Sequence, residues 1–219
     1  MEITVMKNIM GANEEKADEL RGLLKQNKVL MVNLIGSPGA GKTTILENTI
    51  AALKDKGRKV AVIEGDVATD KDARRLQRFD IPITLINTDG ACHLEALSIE
   101  ASLNDFNLRE LDMVFIENVG NLVCPAEFDI GEHAKIAVVS VTEGDDKPSK
   151  YPLLFREAEA VILNKIDLEQ YTNFNRANFL ADVKNLNGNI PLFEMESMKS
   201  PNLDSWIAWL EEKLAAIKG

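Results

Sequence analysis

The sequence predicts an α/β fold, a mostly parallel sheet with helices on both of its faces. Three features of the 219 residues carry that expectation. Short, nearly all-apolar runs alternate with longer amphipathic ones, the pattern of strands buried on both sides by crossover helices. One such run, residues 29–35, leads directly into Gly36-Ser37-Pro38-Gly39-Ala40-Gly41-Lys42-Thr43-Thr44, the strand, loop and helix order that phosphate binding requires. A hydrophobic content of 45% beside 27% charged residues suffices to bury a core.

The elements follow in order. Residues 13–26 place Leu20, Leu23 and Leu24 on one helical face and predict a short N-terminal helix. After the strand at 29–35, residues 44–56 predict a helix closed by Gly57, and 59–64 a buried strand ending at Gly65-Asp66. A charged helix over 70–79 leads to a strand at 81–86, and a helix over 93–103 to a strand at 113–116. Strands at 135–142, 160–163 and 190–193 and helices at about 174–185 and 204–216 complete the series. With no repeat, low-complexity tract or linker, one domain spanning 1–219 is expected.

The chemistry of the loop is specific. Glycines at 36, 39 and 41 let backbone N–H groups turn toward phosphate oxygens where a Cβ would obstruct them. The following helix adds its positive N-terminal end. Lys42 is expected to reach the β- and γ-phosphates, and the Thr43 hydroxyl to bind Mg²⁺.

Ligands of such sheets bind beyond the C-terminal strand ends, which directs attention to the residues just after each strand. Asn164-Lys165-Ile166-Asp167 matches the guanine-specificity pattern Asn-Lys-x-Asp. Asp167 can accept two hydrogen bonds from the guanine N1–H and exocyclic amine, Lys165 would lie along the base, and Asn164 would tie this loop to the phosphate loop. GTP is therefore favoured over ATP. Glu117-Asn118-Val119-Gly120 occupies the position of a γ-phosphate sensor, with Glu117 a candidate Mg²⁺ or water partner and the Gly120 N–H facing the γ-phosphate. Asp66 is a candidate for holding Mg²⁺ or orienting the attacking water, whereas Asp70 and Asp72 read as a helix cap and a surface charge. Arg74 and Arg75 read as surface charges, and without an evident arginine finger hydrolysis is expected to be slow.

The net charge of −10 speaks against nucleic acid and anionic membrane as partners. The first residues lack a secretory signal and no run is long enough to span a bilayer, so a cytoplasmic location is expected. In a reducing compartment the two cysteines, Cys92 and Cys124, are small buried hydrophobes or ligands rather than a disulfide. Cys92 adjoins His93 at the expected start of a helix, where a thiol's pKa falls, and Cys124 lies in the loop after Glu117. Two thiolates and an imidazole suit Zn²⁺, or Ni²⁺ in square-planar geometry, with water or a second copy of the chain filling the set. His133, the other histidine, reads as a solvated or capping residue.

This combination resembles the HypB family of hydrogenase nickel-incorporation GTPases. The resemblance rests on Gly36 to Thr44, Glu64-Gly65-Asp66, Cys92-His93-Leu94, the run from Glu117 to Pro125 and Asn164 to Asp167. It implies a P-loop NTPase of the SIMIBI type that hydrolyses GTP. It also implies a homodimer with a Zn²⁺ or Ni²⁺ site at the subunit interface, and handover between a nickel-binding accessory protein and the hydrogenase large-subunit precursor. Nucleotide would order the loops bearing Cys92, His93 and Cys124, and hydrolysis would relax them.

The sequence departs from the family in places. Residues 1–26 have neither cysteine nor histidine, Ser37 stands where dimerising relatives carry lysine, and the base-contact loop is only approximated by Glu196-Ser197-Met198-Lys199. Lys147 or Lys150 reaching the partner's nucleotide would compensate at Ser37. The alternatives are a urease-type maturation GTPase, a passive metal-binding or storage protein with a structural nucleotide site, and a small-molecule kinase.

Overall fold

A computed structural model describes the backbone of residues 5–66, 75–196 and 203–219, and the side chains of 11–65, 75–196 and 203–219. Asp70, Asp72 and Arg74, the first half of the helix expected at 70–79, and Ser197, Met198 and Lys199 lie outside the described residues, as does the Asp66 side chain. In chain order the elements are α1 (Val5–Asn27), β1 (Leu30–Gly36), α2 (Lys42–Asp55), β2 (Val60–Asp66), β3 (Ile83–Asn87), α3 (Ala96–Asn104), β4 (Met113–Glu117) and α4 (Cys124–Glu127). Then come β5 (Ala134–Ser140), α5 (Lys147–Lys150), α6 (Pro152–Glu157), β6 (Ala160–Asn164), α7 (Arg176–Leu186), β7 (Leu192–Met195) and α8 (Asp204–Lys218).

The sheet has seven strands in the order β3-β2-β4-β1-β5-β6-β7. Every recorded pairing is parallel. β1 is central, and the crossovers turn opposite ways on either side of it, so a crevice opens beyond its C-terminal end. The two-residue period of β1 sorts its side chains by face. Leu30, Val32 and Leu34 enter the cluster formed with Ile45, Leu46 and Ile50 of α2 and Trp206 and Leu210 of α8. Met31 turns the other way toward Leu20 and Leu24 of α1 and Ile99 of α3, while Ile35 meets Leu154, Phe155 and Phe179 of α6 and α7.

The differences from the expected elements have local causes. The strand expected over 135–142 stops at Ser140, whose hydroxyl and the Glu143 carboxylate form a capping box that turns Val141–Glu143 into a 3₁₀ helix. In the acidic loop beyond it Pro148 and Pro152 seed the short helices α5 and α6, which the apolar periodicity did not register. Lys150 pairs with Asp146 of its own turn at 2.5 Å, and Lys147 lies over the Tyr151 ring.

His133 is half-buried rather than solvated and caps a strand, not a helix. Its Nδ1 accepts from Met31 N (3.0 Å), and its own N–H donates to Met31 O (2.9 Å). Burial, together with the Arg21 and Lys25 charges, pushes its pKa down from 6.5 to about 4. Between those two values the unfolded chain binds a proton that the folded chain refuses, so this residue's stabilising share is full above pH 6.5 and is lost as pH falls toward 4. Urea unfolding of wild type and His133→Gln between pH 4 and 7 checks this. The stability difference, wild type minus variant, is expected to rise with pH across the window by up to about 1.4 kcal/mol per unit.

Candidate functional site

At the C-terminal end of β1 a Cβ on Gly36 would collide with Val138 O of β5, so the chain can pass here only as glycine. Gly39 and Gly41 take φ values of 78° and 99°, the left-handed region that side chains avoid. Ala40 N donates to Ser37 O (3.2 Å), closing the turn through Pro38. α2 then begins at Lys42 with its N-terminus facing the crevice. The Lys42 ammonium is buried against the carbonyls of Gly36 (3.0 Å) and Ser37 (3.4 Å), and Thr43 Oγ1 donates to Glu117 Oε1 (2.8 Å).

The loop after β6 clasps the phosphate loop from the opposite side. Asn164 Nδ2 donates to Ala40 O (2.8 Å), and a Cβ on Gly41 would collide with that same amide nitrogen. Lys165 Nζ donates to Gly39 O (2.6 Å), and Lys165 itself sits at φ 59°. A cleft of ≈ 690 Å³ results, lined by Pro38, Lys42, Thr43, Glu117, Gly120 and Asp167 among others. Its volume falls within the span of small-molecule sites, about 300–1,000 Å³. Basic and carboxylate groups converge at its phosphate end, where Thr43 and Glu117 could together hold a divalent cation.

Arg75 corrects the sequence reading. Its guanidinium bonds Glu47 of α2 (2.6 Å from Nη2 to Oε2) and the Thr44 hydroxyl (3.1 Å) and forms part of the cleft wall. It is therefore not merely a surface charge. Asp66 terminates β2 opposite Asn87, which puts its backbone at the C-terminal edge of the sheet.

Beyond β4 the chain stays close to the phosphate loop. Asn118 N donates to Leu34 O (3.1 Å), prolonging the sheet, and Asn121 N donates to Val119 O (2.7 Å), closing a tight turn around Gly120. A Cβ on Gly120 would lie 2.7 Å from Pro38 Cγ. A buried polar chain anchors this segment from below. Asn118 Nδ2 donates to Asn33 Oδ1 (3.1 Å), and Asn33 Nδ2 donates to Glu132 Oε1 (3.1 Å). Burial pushes the Glu132 pKa up, against the opposing Lys135 charge.

The same turn carries the second cluster. Cys92 Sγ lies 2.7 Å from Cys124 Sγ and 3.6 Å from His93 Nδ1, and the ligand atoms of all three residues fall within 4.8 Å of one another. Cys92 is exposed and Cys124 half-buried. His93 is stacked on Phe128 (centroids 3.7 Å apart), and its Nε2 points toward Glu95 Oε1 at 3.8 Å, leaving Nδ1 on the sulfur side. The donor set fits a soft or borderline cation. One expectation is overturned: α3 starts only at Ala96, so Cys92 does not stand at the N-terminus of that helix. The hydrogen bond with Cys124, followed by burial, instead raises the Cys92 pKa.

Comparison with known proteins decides the family. The model of the CobW/HypB/UreG nucleotide-binding domain matches residues 30–194, and the hydrogenase maturation factor HypB of Escherichia coli K12 is 42% identical over 209 residues, 95% of this chain and 72% of the relative. The chain belongs to the HypB family. The Helicobacter pylori member, described as a hydrogenase/urease maturation factor, is 38% identical over 216 residues, 97% of this chain and 88% of its own. A crystal structure of H. pylori HypB in complex with nickel superimposes with a TM-score of 0.87 at 39% identity, covering 94% of this chain and 96% of that one. The cell division protein FtsY of Thermotoga maritima, at 17% identity and TM-score 0.59 over 90% of this chain and 76% of its own, shares the fold alone. The fold is thus that of P-loop NTPases, with the family's nucleotide-binding domain spanning residues 30–194. Among the described residues no helix is long and apolar enough to cross a membrane.

Sequence reasoning missed Asn33, Glu132, Arg75 and Asn121. The one available signal was a polar residue inside the apolar β1 run, since a buried amide needs partners. Because Asn164 supports the phosphate loop from behind, Asn164→Ala is expected to weaken nucleotide binding roughly tenfold, the loss of about one well-made hydrogen bond. Fluorescent-nucleotide titration measures it, and unchanged affinity would contradict the supporting role.

Proposed function

We propose that this chain is a GTP-hydrolysing metallochaperone that binds Ni²⁺ or Zn²⁺ at a subunit interface and aids nickel insertion into [NiFe] hydrogenase. One observation supports the reading above the rest. The segment that runs from Glu117 past Gly120 leads within a few residues to Cys124, so one loop adjoins both the phosphate loop and a thiol–imidazole cluster. A storage protein with a merely structural nucleotide site would have no need of that adjacency.

In this reading Lys42 and the backbone N–H groups of residues 36–44 bind the triphosphate. Lys42 exchanges its present carbonyl partners for phosphate oxygens. Asp167 accepts from the guanine edge, Lys165 covers the base, and Asn164 keeps the two loops in register. Thr43, Glu117 and Asp66 would hold Mg²⁺, which neutralises phosphate charge when bound. Gly120 presents its N–H to the γ-phosphate, and Asp66 or Glu117 orients the attacking water. Hydrolysis then relaxes the contacts that hold the Gly120 turn.

The metal is cargo. Cys92, His93 and Cys124 supply three donors, and a second copy of the chain or water completes the set. A nickel-binding accessory protein would deliver the ion, and the hydrogenase large-subunit precursor would receive it. A urease client is a second reading, favoured by the description of the H. pylori relative; it changes the recipient and not the site.

GTP hydrolysis and nickel binding, measured together, test the proposal. Lys42→Ala is expected to abolish GTP turnover, and Asp167→Asn to weaken GTP roughly a hundredfold while admitting xanthosine triphosphate, whose C2 carbonyl can accept from the new amide. Cys92→Ala and Cys124→Ala should each remove tight nickel binding while turnover persists. Full nickel affinity in both cysteine variants would overturn the metal assignment, and undiminished GTP turnover in Lys42→Ala the GTPase assignment.

A further inference from the structure

Asn121 follows Gly120 directly, and its side chain touches both thiol-bearing segments. The Nδ2 group donates to Cys92 O (3.3 Å), and Oδ1 accepts from Val123 N (2.9 Å), the residue before Cys124. Its backbone N–H is the one that closes the turn around Gly120, and Gly120 in turn rests on Pro38 of the phosphate loop. From Pro38 to the two sulfurs there is thus a continuous path of close contact and hydrogen bonds with no long, flexible side chain in it.

A second asparagine bridges the same segments farther from the cleft. Asn13 Oδ1 of α1 accepts from Ala96 N (2.9 Å), and its Nδ2 donates to Asp129 O (2.7 Å). Arg21, also on α1, holds the Asp129 carboxylate through both oxygens at 2.7 Å. Neither Ala96 nor Asp129 lines the nucleotide cleft.

We infer that Asn121 is the positioning residue that carries the nucleotide state from the Gly120 turn to the Cys92–His93–Cys124 cluster, whereas Asn13 only sets the spacing of the two segments. The inference rests on the proposed function, since it gives that switch its moving part. A γ-phosphate that draws Gly120 toward the phosphate loop must draw Asn121 with it. The amide then either keeps or releases Cys92 O and Val123 N, and the distance between the sulfurs follows. Asn13 lies outside this path, so its bonds are the same whatever the cleft contains.

The two asparagines are separated by nickel titration of the full chain, followed by thiolate-to-nickel charge-transfer absorption, with Mg²⁺·GDP and with a non-hydrolysable Mg²⁺·GTP analogue. Wild type is expected to bind nickel with different affinities in the two states. Asn121→Ala should weaken nickel about tenfold, the lower end for loss of a group that orients a metal ligand, and bring the ratio between the states close to one. Asn121→Asp keeps the acceptor for Val123 N and loses the donor to Cys92 O. It covers the case in which the alanine variant does not fold, and a reduced ratio is expected there too. Asn13→Ala should weaken nickel by a similar factor in both states, with the ratio and GTP hydrolysis unchanged. A wild-type ratio preserved in both Asn121 variants would overturn this inference and leave the proposed function standing. Equal affinities in wild type would overturn both.

Discussion

The contact between Gly120 and Pro38 is the constraint on which the rest of the site depends. Neither residue can take a different shape without separating the phosphate loop from the segment after β4, because a Cβ at 120 would stand 2.7 Å from the proline ring. That segment adjoins both the cleft and the cysteines. The sheet order makes the contact possible: β1 and β4 are direct neighbours, so the loops leaving their C-terminal ends emerge side by side. Packing then holds them there. Asn118 is pinned below by Asn33 and Glu132, and the carboxylate of Glu132 also accepts from Ile130 N (2.9 Å). A buried polar chain satisfied at each link is rigid, because leaving any one group unpaired costs on the order of 1–3 kcal/mol.

Charge follows the same geometry. An acidic chain of net charge −10 gathers Lys42, Lys165 and Arg75 along one crevice. The carboxylate of Glu117 is placed beside Thr43 rather than facing bulk solvent. The site can therefore take an anion and a divalent cation together. Mixing both signs within one partly enclosed crevice also makes each contact stronger than it would be in open water.

Much of this was legible in the sequence, for physical reasons. All the strands were foreseen because a parallel sheet covered on both faces needs uninterrupted apolar runs, and Val60–Asp66 or Ala160–Asn164 admits few other readings. The tie of Asn164 to the phosphate loop was foreseen because the Asn-Lys-x-Asp pattern carries its own geometry, as did the meeting of Cys92, His93 and Cys124. What escaped was set by partners distant in the chain. Asn33 is a polar residue in an apolar strand whose role shows only once Asn118 and Glu132 come beside it. Arg75 looked like a surface charge until Glu47 of α2 faced it. Cys92 was expected at a helix start because residues 93–103 read as one helix, but the helix waits for Ala96, whose N–H is capped by Asn13 from α1.

Because binding free energies are linked, metal and nucleotide must act on each other by one common factor if a shared loop joins them. The most direct measurement is the affinity of the full chain for the non-hydrolysable GTP analogue and for GDP, each determined by calorimetry with and without saturating nickel. Nickel is expected to change the ratio of the two nucleotide affinities by the same factor by which the nucleotides change nickel affinity, and Cys124→Ala to abolish that change. A nucleotide ratio indifferent to nickel, in a chain whose cysteines do bind the ion, would contradict the shared loop.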